Sequence, residues 1–222
     1  MAWLEISQAK QELIRVASML RDSGVMFRGE HANLSARVAD DRMVLTRGGN
    51  VAHLDESSFA LVQLDGKVLE GEIAPAQAEI VEMHAAVYRA RAQVGSVIHT
   101  HAPHATAFAV AHQSIPVVYE PLMRFGITAP VPVVPWAPRG SAASVAGIIA
   151  AVQANPGISA VLLANHGVLA FAANPTQTAQ LLATLDEAAE LILAARQLGG
   201  EQPLPEAAFE QIREAMRAFA TK

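Results

Sequence analysis

The chain has 222 residues, of which 52% are hydrophobic and 17% charged, enough apolar mass for one fairly large domain over residues 1–222 rather than two small ones. A net charge of −5 argues against a nucleic-acid or membrane-surface binder, which would carry a basic excess or stripe, and leaves a small molecule or another protein as partner. The absence of cysteine excludes disulfides, thiolate catalysis and cysteine-ligated zinc, so any metal must be held by histidine, aspartate or glutamate.

The opening MAWLEISQAKQELIRV carries charges too early and too often for a signal peptide's apolar stretch, which makes the cytoplasm the expected compartment. Leu13, Val16, Ala17 and Leu20 recur at helical spacing within residues 8–22, and Gly24 follows as a stop. NLSARVADDRMVLT reads as two alternating strands about Asp40 and Asp41, and FALVQLDGKVLEG as a hairpin turning on Asp65 and Gly66. Pro75 opens a helix to about Arg91, GSVIHTH is a short buried strand, and Pro103 starts another helix. Beyond the proline-broken YEPLMRFGITAPVPVVPWAP, Ser141 caps a helix to about Ala154, and ISAVLLANHGVLAF forms two strands joined at Asn165-His166-Gly167. Asn174-Pro175 caps a long helix that ends at Gly199-Gly200, and a short helix follows Pro205. With no internal repeat and no linker, this order predicts a single layered α/β domain with a mostly antiparallel sheet.

From Gly140 to Leu185 the chain has no Asp, Glu, Lys or Arg. A membrane span needs ~20 unbroken apolar residues, whereas Gln153, Asn155, Pro156, Gly157, Asn165 and Asn174 interrupt this stretch. It reads instead as a deeply buried half of the fold, or one covered by other subunits. A histidine in such surroundings needs a partner or a metal.

VIHTHAPHATAF, residues 97–108, holds three of the chain's eight histidines. On a strand, His99 and His101 project side by side to one face, where they either bind one metal ion or form a solvated strand surface; the apolar flanks favour burial. His104, one turn into the next helix, suits a substrate pocket or a neighbouring group better than the metal. His112 reads as an ordinary residue at that helix's C-terminus. A third ligand should come from a rigid turn elsewhere, and His166 sits in one. Three imidazoles with an oxygen ligand or an open position make a catalytic zinc arrangement. The acidic candidates are Glu79 and Glu82 in APAQAEIVEMH, three apart on one helix, although helix glutamates usually remain at the surface.

These residues, together with HANLSARV, LTRGG, MHAAVYRARAQVGSVIHTHAPHATAFA, SIPVVY and LLANHGVLAF in that order, resemble the class II aldolase/adducin family over nearly the whole chain. The resemblance implies a three-layer α/β/α sandwich with a central, mostly antiparallel sheet. It also implies one Zn²⁺ per chain on His99, His101 and His166, and a homotetramer. It places the anionic end of a substrate against Asn33 and the loop from Thr46 through Gly48 and Gly49; Arg47, within that loop, is read from this chain itself as a charge partner. The family's serine pair before its acid is replaced here by Ala76-Gln77-Ala78. Glu79 lies five residues before His84 where the family spacing is four; it is the expected acid–base residue, with Glu82 in reserve. Tyr119 falls within one position of the family's cross-subunit tyrosine, and the tail from Pro203 to Lys222 offers no second tyrosine.

The activity this implies is zinc-dependent aldol cleavage of a hydroxylated keto compound, a sugar phosphate by preference, with the metal stabilising an enediolate. Epimerase, dehydratase and decarboxylase chemistry use the same grip. The rival from another class is a non-catalytic, adducin-like assembly module, which the presence of all three histidines disfavours.

Overall fold

Antiparallel strand pairing organises the molecule, which is described here from a computed structural model over residues 3–26 and 30–220. Helix α1 (Ile6–Asp22) leads into strands β1 (Ala32–Ala39), β2 (Arg42–Thr46), β3 (Phe59–Gln63) and β4 (Val68–Glu70). Helix α2 (Ala78–Ala90), strand β5 (Ser96–Thr100) and helix α3 (Pro103–Val110) follow, then α4 (Glu120–Arg124), β6 (Val133–Val134) and α5 (Ala142–Ala154). The chain continues through β7 (Ala160–Leu163), β8 (Gly167–Ala172), α6 (Pro175–Gln197) and α7 (Ala208–Ala220). The strands form one eight-stranded sheet in the order β4-β3-β2-β1-β5-β8-β7-β6, antiparallel except for β6 beside β7.

Register decides which residues face which layer. Asn33 pairs with His99 and His99 with Leu169, whereas the neighbouring row runs Leu34–Ile98–Ala170. Because side chains alternate along a strand, Val97, Leu169 and Phe171 pack with Met43, Leu45 and Val161 under α2 and α5. Ile98, Leu34, Val44 and Ala170 pack on the opposite face against α1, α3 and α6. The result is the expected α/β/α layering, with His99 and Asn33 on the α2 and α5 side.

Most elements fall where hydrophobic periodicity and turn residues put them. Pro75 starts a single 3-10 turn, Pro75–Gln77, before α2 begins at Ala78. The proline-broken stretch contains α4 and the two-residue β6, which its sequence did not announce; β6 borrows its order from β7. In the charge-free stretch, β7 and nearly all of β8 are buried, but α5 buries only Ile148 and Val152 and leaves a small-residue, uncharged surface. Among the described residues no helix is long and apolar enough to cross a membrane.

Candidate active site

The histidines meet where β5 ends and the β7–β8 turn passes over it. His99 lies in β5 and His101 just beyond it, and Asn165, in the left-handed region at φ 57°, turns the chain so that His166 comes back over both. Asparagine tolerates this conformation better than most residues. Ring centroids are 5.3 Å apart for His99 and His101, 4.7 Å for His99 and His166, and 5.0 Å for His101 and His166. A Cβ at Gly167 would lie 2.6 Å from the Thr100 carbonyl and 2.8 Å from His101 Cδ2, so only glycine lets this turn approach the pair.

Each imidazole is held in the form that binds metal. His99 Nδ1 donates to the Val168 carbonyl at 2.9 Å, which fixes the tautomer and leaves Nε2 as the ligating atom. Nε2 of both His99 and His101 is buried without a hydrogen-bond partner, an arrangement that costs free energy unless a cation takes the lone pairs. Burial, then the neighbouring His166 and His101, holds His99 well below the usual histidine range. His101 is pushed down to about 4 by burial and by His166, His31 and Arg139. His166 is lowered by burial, then by Arg139 and His31. A convergent set of neutral imidazoles with orphaned nitrogens fits a divalent ion, and zinc suits its donor chemistry.

A further histidine, His31, joins the group. Its ring stacks on His101 with centroids 5.0 Å apart and meets His99 edge-on at 6.5 Å. Ligating nitrogens of His31, His99 and His101 all lie within 4.8 Å of one another. The sequence reading passed over His31; the signal was the pairing of His-x-Asn at the start of one strand with His-x-His at the end of another.

A cavity of about 420 Å³ opens beside these rings, lined by His31, Asn33, Glu79, His99, Arg139 and His166 among others. Glu79 Oε1 is ion-paired with Arg139, a residue on the loop before α5 that the sequence reading did not single out. Glu82 turns outward and pairs with Arg89. Gly49 closes on His31 and Gln77, but Gly48 borders open space. The Thr46 hydroxyl accepts from the Leu34 N–H at 3.2 Å and faces away from the cavity. Arg47 donates to the Glu72 and Ser57 carbonyls on the outer side of its loop, which removes it as the charge partner of a ligand in this cavity. Tyr119 donates to Glu187 on the α6 side and does not line the cavity of its own chain. His104 is engaged by the buried Asp186, whose carboxylate also accepts from the His104 and Ala105 N–H groups. His112 is likewise occupied, 2.6 Å from Asn165 Oδ1.

Asn33 is wired from behind. Its Oδ1 lies 3.2 Å from His84 Nε2; His84 Nδ1 lies 2.7 Å from the Ser35 hydroxyl, itself 2.7 Å from the Tyr88 hydroxyl. An amide oxygen only accepts, so His84 Nε2 carries the proton, and Nδ1 accepts from Ser35. Full burial lowers His84 to about 3 from 6.5. Above about pH 6.5 neither the folded nor the unfolded imidazole is protonated, and full stability holds. As pH falls below that, the unfolded chain takes up a proton that the folded one refuses, so stability drops and the loss levels off near pH 3. Denaturant unfolding of the metal-free protein should therefore weaken between pH 7 and pH 5, and His84→Gln should flatten the slope by up to roughly 1.4 kcal/mol per pH unit. An unchanged slope in the variant would remove His84 from the account.

A sequence model of the class II aldolase and adducin N-terminal domain matches residues 11–193. The chain is 26% identical to the L-fuculose phosphate aldolase of Escherichia coli strain K12 over 193 residues, covering 87% of this chain and 86% of that one. It is equally 26% identical over 218 residues to the 3-oxo-tetronate 4-phosphate decarboxylase of Cupriavidus necator, covering 96% and 97%. Among solved structures, an L-fuculose 1-phosphate aldolase superposes with a TM-score of 0.83 at 26% identity, over 97% of this chain and 99% of that one.

Proposed function

Because the chain belongs to the class II aldolase and adducin N-terminal domain family, and its relatives are lyases, we propose that it is a zinc-dependent enzyme. In this reading it cleaves a C–C bond beside the carbonyl of a hydroxylated oxo substrate with an anionic end. One observation carries the reading: imidazoles held neutral, two of them with orphaned nitrogens, cluster at a cavity whose wall also holds a carboxylate.

His99, His101 and His166 hold the ion, one per chain, and when bound it supplies Lewis acidity toward a carbonyl and an adjacent oxygen. Glu79 moves the proton. For that it must leave Arg139, and an anionic substrate group that takes over the guanidinium gives it the means. The Asn33 side-chain NH₂ and the Gly49 segment receive a phosphate or other oxyanion. Tyr119 serves a neighbouring subunit in a homotetramer, a role supported by its position outside its own cavity and by the uncharged surface of α5. Trp136, 66% exposed beside the cavity, adds to the surface such an assembly would cover.

Arg139 favours a second reading, decarboxylation of a 3-oxo acid, because a guanidinium suits a substrate carboxylate as well as it suits Glu79. The test is a panel of ketose 1-phosphates and phosphorylated 3-oxo acids, with released aldehyde and carbon dioxide measured separately. Turnover of one class is expected, abolished by a chelator and restored by Zn²⁺. Turnover that survives full metal removal, or none of either kind in the zinc-loaded protein, overturns the lyase reading.

A further inference from the structure

We propose that His31 is a fourth imidazole ligand, so that this chain grips its ion through His31, His99, His101 and His166. The inference rests on the metal reading above and adds a ligand to it. The resemblance assigned three histidines; the geometry brings four rings together, and the set whose ligating nitrogens lie mutually within 4.8 Å includes His31 in place of His166.

The placement of His31 is built into the sheet. Ala32, the first residue of β1, pairs with Thr100, so the residue just before the strand arrives opposite His101. Its backbone is tied on both sides. The Thr100 hydroxyl donates to the His31 carbonyl at 3.0 Å, and an isolated bridge joins His31 to Asn50. The ring lies so close to Gly49 that a Cβ there would sit 2.6 Å from His31 Cε1 and 2.8 Å from Nδ1. Glycine at this position is thus needed for the histidine to occupy its place, independently of any anion the Gly49 amide receives.

The carboxylate that would otherwise complete the set is engaged elsewhere, since Glu79 is paired with Arg139. Four nitrogens close a tetrahedral zinc site.

The experiment counts ligands directly in cadmium-substituted protein carrying isotope-labelled histidine. Four imidazole nitrogens spin-coupled to the metal nucleus are expected in the wild type and three in His31→Ala. Zinc affinity, measured by chelator competition, should fall by roughly 10–100-fold or more in His31→Ala and in His31→Gln, since loss of a ligand should cost at least as much as loss of an outer hydrogen-bond partner. Circular dichroism identifies a variant that has simply unfolded, and assignment of which rings couple to the metal in the wild type decides the matter without either variant. A wild type in which the His31 ring carries no coupling to the metal overturns the role of His31 and leaves the metal reading standing. A wild type that binds no cadmium or zinc overturns both.

Discussion

His99→Ala is expected to empty the metal site and abolish turnover while leaving the sheet assembled. His99 is 2% exposed, and its Nδ1–H is committed to Val168 O, so the protein aims one nitrogen at the ion with the other used as a brace. Removing the ring loses a ligand and leaves the Val168 carbonyl without this donor, at a cost of about 1–3 kcal/mol in stability. Elemental analysis should show metal falling from about one ion per chain to a small fraction of that, and activity should fall at least ~1,000-fold. His166→Ala, on a half-buried turn outside the main core, should reproduce the metal loss with less destabilisation. Full metal occupancy in either folded variant would mean that the rings converge for some other reason.

The second large effect separates two carboxylates three residues apart. Glu79→Gln should retain metal and lose roughly 100- to 10,000-fold in kcat, the contribution typical of a general acid–base group. Glu82→Gln should change kcat little, because Glu82 points outward to Arg89, away from the cavity. Circular dichroism and metal content give the controls. Equal effects of the two substitutions, or normal turnover in Glu79→Gln, would remove Glu79 from the chemistry.

Both predictions began in sequence patterns of unequal clarity. The helices and most strands were legible because their apolar periodicity and turn residues act locally: Leu13, Val16, Ala17 and Leu20 describe α1 almost unaided, and all are buried. His99 and His101 were legible as a pair because the strand period alone puts them on one face. His31 was not, because its approach to His101 depends on the pairing of β1 with β5, strands separated by four other named elements and more than fifty residues. Arg139 was hidden for the same reason: its partner is sixty residues away on α2, and WAPRGSA has no periodicity of its own. Arg47 shows the opposite error, since a basic residue inside a glycine loop suggests an anion partner, whereas its guanidinium is used to fasten the loop to Ser57 and Glu72. Proximity in sequence conveyed which residue types were available; only the register of the sheet conveyed which ones meet.

The line of hydrogen bonds behind Asn33 has a direction. With the proton on His84 Nε2 and Nδ1 accepting from Ser35, the short contact at Ser35 leaves Tyr88 as donor to the serine oxygen, so every bond points toward the cavity. Asn33 ends the line with its oxygen already taken and only N–H groups left to offer. An asparagine is ordinarily ambivalent, since a flip of its amide exchanges donor for acceptor, but here a flip would require the His84 proton and both hydroxyls to turn with it, so the polarity is set by the line as a whole. The cavity therefore distinguishes ligands by the polarity of their hydrogen bonding at this point: oxyanions are welcomed, while an ammonium or amide N–H in the same place meets a donor. A tyrosine far from any ligand thus helps set the chemical sign that the substrate must carry.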